Sequence, residues 1–130
     1  MTVYSLIFYS INNEMNIEDI RAICTELSAV TEDIKWGNDL VFSVAEKMFC
    51  VVGLNQSPVT ASFKVTDEEF DEMCTREGFK PAPYVARYKW VWIDDINKMN
   101  KKEWKKYIAQ SYDLVKKKLP VKTKKQLGLK

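Results

Sequence analysis

The stretch LVFSVAEKMFCVVGLNQSPVTASFKV, residues 40–65, decides the fold. It contains three short runs rich in β-branched and aromatic residues, which favour strands. These runs, Leu40 to Val44, Met48 to Leu54 and Thr60 to Val65, are separated by connections of three and five residues. Connections of this length suit hairpins and are too short for the crossover that parallel strands need. The stretch therefore predicts an antiparallel meander.

Three helices are predicted around this meander, each beginning at a capping residue. Asn16 precedes the first apolar helical stripe, and Thr66 opens a Thr-Asp-Glu-Glu capping box. Asn100, with an acid three residues later, begins the last and longest helix, which we expect to end before Pro120. Strands grouped with short links and followed by helices predict an α+β domain, a two-layer sandwich in which helices cover one antiparallel sheet.

A further strand is predicted at residues 84–93, which are rich in aromatic and β-branched side chains. On one extended strand, Tyr88, Trp90 and Trp92 would point to one side, and Arg87 and Lys89 to the other. Exposed rings would allow bases to stack on them, whereas buried rings would form the sheet's core-facing side. We expect the rings to face the core, packed against the helices.

A chain of 130 residues predicts a single core and one domain. Residues 15–130 would form this domain, including a basic C-terminal helix and tail. Residues 1–14 would be an N-terminal extension, either an added strand or a loose tail, or the product of a start codon placed too early. The apolar residues 2–11 are too short to span a bilayer and lack a basic flank, so neither a membrane anchor nor a signal is expected.

The composition excludes several classes of site. No histidine is present, which excludes a Ser-His-Asp mechanism and a His-ligated metal. The cysteines are Cys24, Cys50 and Cys74, an odd count without a C-x-x-C pair, and each lies in an apolar pattern. We therefore expect buried free thiols and a cytoplasmic location. The acids of residues 67–72 are explained by a helix start, so no metal site, cofactor or catalytic residue is predicted.

The charge is divided sharply along the chain. Residues 1–100 hold 9 Lys and Arg against 16 acids, whereas residues 101–130 hold 11 Lys against 2 acids. At 100° per residue, the last helix gathers its lysines opposite an apolar side. Together with the basic tail after Pro120, which is expected to be frayed, the candidate phosphate-binding residues are Lys102, Lys105, Lys106, Lys116, Lys117, Lys122, Lys124 and Lys125. Arg87 and Lys89 are added from the predicted strand.

Two interpretations of these lysines stay open. They could lie along nucleic-acid phosphates, or they could simply form a solvated helix face, because Lys supports helix formation and complements the helix dipole. Residues 101–130 contain no arginine, the residue best suited to guanine recognition, so binding would be weak and poorly sequence-specific. Asp113 is expected to pair with Lys117 four residues later.

The chain from Met15 to about Leu129 resembles the MmcQ/YjbR family of small bacterial proteins. The residues that carry the resemblance are Met15-Asn16-Ile17-Glu18, Val30-Thr31-Glu32 as a turn before Trp36-Gly37-Asn38, the strands from Phe42 to Leu54, Pro83-Tyr84, Lys89-Trp90, and Ser111-Tyr112-Asp113-Leu114-Val115 before Lys118-Leu119-Pro120. The resemblance implies a CyaY-like sandwich and a DNA-binding role described as a double wing. Gln110, where many relatives have His, and the less polar segment Tyr84 to Trp92 depart from the family pattern.

The sequence thus predicts a monomeric, non-enzymatic domain that binds DNA weakly through its basic C-terminal helix. The alternative is a protein-interaction module without a nucleic-acid ligand, since the acidic first hundred residues would suit a basic partner. An enzyme ranks third, because it would have to rely on carboxylates alone.

Overall fold

The computed structural model describes residues 14–130, so the expectation for residues 1–14 lies almost wholly outside the described residues. The elements, in chain order, are α1 (Ile17–Thr25), β1 (Val30–Lys35), β2 (Asp39–Val44), β3 (Lys47–Gly53), β4 (Thr60–Lys64), α2 (Asp67–Met73), β5 (Phe79–Pro81), β6 (Trp90–Ile93), α3 (Lys101–Lys117) and α4 (Val121–Gln126). Short 3₁₀ turns at Ala86–Tyr88 and Ile96–Lys98 flank β6.

The six strands form one antiparallel sheet in the order β1-β2-β3-β4-β6-β5. The predicted meander is confirmed as β2, β3 and β4, which pair in sequence order. The turn predicted at residues 30–32 is wrong, because these residues begin β1. Five of the six β1 side chains are exposed, so this edge strand lacks the apolar alternation that would have identified it.

The helices cover one face of this sheet, which confirms the two-layer α+β arrangement. Phe42, Phe63 and Val91 point into this layer and are fully buried. The indole of Trp104 on α3 meets the Phe63 ring edge-on with centroids 5.5 Å apart, and its Nε1 donates to the carbonyl of Ile96 at 2.8 Å. The helix-covered face therefore holds the core.

All three predicted helix starts are confirmed as capping boxes. Asn16, Thr66 and Asn100 each accept from the backbone N–H three residues on. The acid at that position, Asp19 in α1, Glu69 in α2 and Glu103 in α3, accepts from the backbone N–H of the cap in return. These reciprocal bonds satisfy N–H groups that have no partner within the helix.

The strand predicted over residues 84–93 is confirmed only for Trp90–Ile93. Lys89 has a left-handed φ of 65° after the 3₁₀ turn, which breaks the strand alternation between Tyr88 and Trp90. The prediction that the tryptophans face the helices is also wrong. Val91 and Ile93 belong to the core, so Trp90 and Trp92 point to the opposite face. We call that face, which carries no helix among the described residues, the open face.

The basic tail is helical rather than frayed over residues 121–126. The chain leaves α4 through Gly128 at a φ of 69°, with Leu129 N–H donating to the carbonyl of Lys124 at 2.8 Å and Gly128 N–H to that of Lys125 at 3.2 Å. This is the Schellman pattern, and the Leu129 side chain packs against the core. The α4 segment is therefore held against the body of the domain.

The cysteines are free thiols, as predicted, with Cys24 and Cys50 buried and Cys74 half-buried. A hydrogen bond with Cys50 and burial both raise the pKa of the Cys24 thiol, and burial also raises that of Cys74. Among the helices of residues 14–130, none has the length and apolar character needed to cross a membrane.

Candidate nucleic-acid interface and the cleft on the opposite face

The predicted lysines lie along the outer sides of α3 and α4. We call them the lysine strip, which comprises Lys102, Lys105, Lys106, Lys116, Lys117, Lys122, Lys124 and Lys125. Most of its members are exposed, and Lys116 and Lys124 are half-buried. The opposite side of α3 is buried through Trp104, Tyr107 and Ile108. This division follows from the 3.6-residue period, which separates the two sets of side chains around the axis.

Few lysines of the strip are paired with carboxylates, and Glu103, the other acid of α3, lies 3.6 Å from Arg76 instead. Lys116 Nζ is 3.5 Å from an Asp113 carboxylate oxygen, so the expected pair with Lys117 is replaced by a pair at three-residue spacing. Lys116 Nζ also lies 5.3 Å from the centroid of the Tyr112 ring, which holds the side chain on that side of the helix. Among residues 14–130, no other strip lysine forms an ion pair. The strip therefore keeps most of its positive charge.

The acids of residues 67–95 are used elsewhere. Glu72 pairs with Arg76 at 3.3 Å, and Asp94 pairs with Lys98 at 2.8 Å. The remaining charges at the start of α2 complement the helix dipole and its capping box. No group of three or more acidic or cysteine side chains in the described part of the chain is arranged to hold a metal ion.

Arg87 and Lys89 were expected on a strand, but this prediction is wrong. Arg87 lies in the 3₁₀ turn, and Lys89 follows it directly. The Arg87 guanidinium donates to the Tyr88 hydroxyl at 2.7 Å, and Lys89 Nζ lies 5.0 Å from the centroid of the Phe70 ring. Arg87 is exposed and Lys89 is half-buried. Both side chains thus have a local partner, and Arg87 keeps the better access to solvent.

Lys64 connects this turn to the end of α3. Its Nζ donates to the carbonyl of Tyr88, and both burial and the positive charge of Lys118 lower its pKa. This proximity was not predictable from the sequence, because Lys64 lies in a run with strand character and Lys118 lies next to the helix end. Their proximity arises only from the packing of α3 across β3 and β4.

The open face carries a cleft of about 490 Å³. Trp92 and Val51 lie on its floor, and Ala82, Pro83 and Tyr84 come from the loop after β5. That loop also covers Trp90, which is only 4% exposed. Towards the β1–β2 turn, the depression continues past Trp36, Asn38, Asp39, Asn55 and Gln56. The cleft was not predicted from the sequence, because the tryptophans were expected on the opposite side of the sheet.

The sheet thus separates two surfaces of different chemistry. The lysine strip belongs to the helical layer, whereas the cleft lies on the open face and is lined mainly by aromatic and small side chains. A polyanion would be attracted to the first surface. The second suits a flat apolar group.

Comparison with known proteins supports the fold. The family model described as YjbR matches residues 25–114. A crystal structure of a Deinococcus radiodurans protein with a DUF419 domain is similar with a TM-score of 0.79 at 25% identity, covering 88% of this chain and 89% of that one. A crystal structure of a Pseudomonas syringae protein is similar in fold, with a TM-score of 0.63 at 18% identity over 77% of this chain and 98% of that one. No curated protein matches the chain.

Proposed function

The chain belongs to the YjbR family, and we propose that it binds nucleic acid weakly and without sequence specificity through the lysine strip. The single observation that carries this proposal is that the strip lysines are almost all free of ion pairs among the described residues. Asp113 is the one acid paired with a strip lysine among the described residues. The unpaired ammonium groups are therefore available to phosphates.

The physical basis is the charge of the nucleic-acid backbone. Duplex DNA carries one negative charge per roughly 1.7 Å of axis, and an ammonium that contacts a phosphate releases a counterion. A 17-residue helix such as α3 is about 25 Å long at 1.5 Å per residue, enough to follow several phosphates. Lysine provides point charges without a planar fork, so these contacts would position a duplex without identifying its bases.

Lys64 and Lys118 supply additional support. Burial is the larger cause of the lowered pKa of Lys64, and the positive charge of Lys118 lowers it further. Arg87 is exposed beside Tyr88, whose carbonyl accepts from Lys64. We infer that a phosphate backbone following α3 would meet these groups at the C-terminal end of the helix.

The test is a duplex DNA titration at two or more salt concentrations. We expect the logarithm of the binding constant to fall linearly with the logarithm of salt, by about 0.9 for each phosphate neutralised. Replacing Lys102, Lys105, Lys106, Lys116 and Lys117 with Gln should abolish retention of the duplex. The double substitution Lys105→Gln/Lys106→Gln should reduce the slope by about 2, or about 1 for each lost contact.

The matched control is Lys35→Gln/Lys47→Gln, which removes the same charge from two exposed lysines outside the strip. It should leave the slope unchanged. An affinity that does not respond to salt, or equal losses in the two double variants, would contradict the proposal.

A second candidate function is a protein-interaction module. It is favoured by Trp36 and Tyr84 on the open face, which are 68% and 100% exposed, since exposed aromatic side chains are enriched at interfaces. A protein partner that docks on the open face would be indifferent to the Gln substitutions in the lysine strip. The same variants therefore separate the two functions.

We also propose a non-catalytic role in the cytoplasm. The chain has no histidine, and free thiols such as Cys24 and Cys50 suit a reducing compartment. Measurable hydrolysis of nucleic acid by the purified protein, lost on substitution of one of its carboxylates, would overturn the non-catalytic role.

A further inference from the structure

The cleft on the open face is bordered by aromatic side chains that have no role in the core. Trp36, from the β1–β2 turn, is 68% exposed, and Tyr84, from the loop after β5, is fully exposed. Trp92 lies on the floor of the sheet between these two borders. Rings in such positions leave apolar surface in contact with water, which costs free energy unless another group covers it.

The backbone at both borders adopts a conformation that bulky residues rarely use. Trp36 has a φ of 52° and Tyr84 a φ of 68°. This left-handed region is uncommon for residues with a Cβ and is a genuine outlier for bulky ones. The turns could have used Gly or Asn there at lower cost. Aromatic residues at two such positions, on opposite borders of one cleft, indicate a role for the rings themselves.

Small side chains keep the floor of the cleft open. Gly53 on β3 lies between Asp39 and Thr60 in the sheet register. A Cβ at Gly53 would lie 2.5 Å from Thr60 Oγ1, closer than real Cβ atoms approach. Ser62 lies opposite Trp92 on the next strand and is likewise small. The space is therefore a feature of the residues that line it.

One end of the cleft is polar. Asp39 is half-buried and is the only lining residue with a formal charge. Lys35 is its register partner on β1, but their charged atoms are not within ion-pair distance in the described structure. The amides of Asn38, Asn55 and Gln56 surround the same end. This end thus offers a carboxylate acceptor with neutral donors and acceptors beside it.

Aromatic walls and a carboxylate at one end define the chemistry of the ligand. The walls favour a flat ring, because aromatic faces stack at offset distances and exclude water. The carboxylate favours a ring edge that presents N–H donors and disfavours a phosphate. Lys80 on the neighbouring strand β5, which is not among the lining residues, has its Nζ 4.4 Å from the centroid of the Trp92 ring.

We propose that the open-face cleft binds a flat nitrogen heterocycle of the nucleobase type, stacked on Trp36 and Tyr84 with its N–H edge towards Asp39. Guanine fits this description best, because its edge presents an N1–H and an amino group side by side, which match two carboxylate oxygens. The ligand is either a free nucleoside or an unpaired base of a single strand. This site shares no residue with the lysine strip, so nucleoside binding and duplex binding can be tested separately.

The first experiment titrates guanosine, adenosine and ribose into the full-length protein, followed by calorimetry or ligand-observed NMR. These probes carry no phosphate, so the lysine strip contributes nothing to their binding. We expect guanosine to bind more tightly than adenosine, and ribose not to bind. Trp36→Ala should weaken the binding of both nucleosides by about fivefold or more, because one stacking partner is lost.

Asp39→Asn provides the sharper test, because it changes the acceptor without changing the shape of the side chain. It should weaken the binding of guanosine more than that of adenosine, a difference that general damage to the fold would not produce. The matched controls are Asp33→Asn, an exposed carboxylate on β1, and Tyr88→Ala, an exposed ring, neither of which lines the cleft. Both controls should bind guanosine like the unaltered protein.

The two sources of the ligand are separated in the background of the five Gln substitutions in the lysine strip. In that background, a short single strand with a central guanine competes with guanosine if unpaired bases are accepted, and fails to compete if only free nucleosides are. No binding of either nucleoside at millimolar concentration would overturn the proposal. So would an unchanged guanosine preference in Asp39→Asn, or a Trp36→Ala variant that alters only self-association.

Discussion

Ser111 is the side chain that joins the longest helix to the sheet. Its hydroxyl donates to the carbonyl of Phe49 at 2.6 Å and accepts from the backbone N–H of Lys64 at 3.0 Å, and the residue is fully buried. One small hydroxyl thus satisfies backbone groups on two neighbouring strands. The sequence places Ser111 on the apolar side of the helix, but only the structure reveals why a polar residue occupies that position.

Replacing Ser111 with Ala should destabilise the domain by about 2 to 6 kcal/mol, because the carbonyl of Phe49 and the N–H of Lys64 would each lose a partner at about 1 to 3 kcal/mol apiece. Urea unfolding followed by circular dichroism measures the change. Ser28→Ala is the control, since Ser28 is exposed and provides only its backbone carbonyl to the Tyr112 hydroxyl. Equal stabilities of the two variants would show that the Ser111 bonds do not hold the helix.

Between elements, the clearest polar contact joins α1 to the edge strand β1. The Nε–H and Nη2–H groups of Arg21 donate to the two carboxylate oxygens of Glu32, at 2.6 to 3.0 Å. This bidentate contact lowers the pKa of the Glu32 carboxyl. Because β1 buries little apolar surface, such a contact matters more there than it would in a central strand.

The Glu32 contact should make a small, pH-dependent contribution to stability. A carboxyl whose pKa is lower in the folded state stabilises the fold above its unfolded pKa, near 4.5, and loses that contribution as the pH falls through the folded pKa. Glu32→Gln should therefore lower the melting temperature slightly at pH 7 and leave it unchanged at pH 2. Asp33→Asn, on the same strand, is the control variant. A fall in the melting temperature of Glu32→Gln at pH 2 as large as that at pH 7 would refute the stabilising role of the Glu32 carboxylate.

At the scale of elements, the sequence predicted what depends on local pattern. Apolar runs and hairpin spacing identified β2 to β4, and capping residues identified the helix starts. β1 was missed because its side chains are exposed, and residues 84–89 were misassigned because the left-handed turn at Lys89 carries no glycine to mark it. The helical form of residues 121–126 depends on Leu129 packing against a distant core, which no local signal reports.

The candidate surfaces were predictable to different extents. The exposed side of α3 follows from helical period and charge alone, whereas the helix that carries Lys122, Lys124 and Lys125 was not predicted. Predicting the cleft would have required knowing which face of β6 is buried. Strand alternation defines two faces but does not indicate which of them packs against the helices. Val91 and Ile93 pack into the core in place of Trp90 and Trp92, and this assignment is decided by the helical layer as a whole.

For the whole molecule, the sheet places the lysine strip and the cleft on opposite sides. Occupancy of one should therefore neither block nor assist the other, since coupling requires a shared two-state element. A saturating concentration of guanosine should leave the duplex DNA affinity unchanged within error. A change in that affinity by a factor of five or more would reveal coupling through the sheet.

The four indoles differ in exposure, which gives the molecule exposed and buried optical reporters. Trp104 is fully enclosed among the helices, whereas Trp36 stands in solvent on the far side of the sheet. Dissolved acrylamide should quench Trp36 readily and leave Trp104 emitting at short wavelength until the chain unfolds. Red-edge emission would then follow the surroundings of Trp36, while blue-edge emission from Trp90 and Trp104 would report whether the buried indoles on both faces of the sheet stay enclosed.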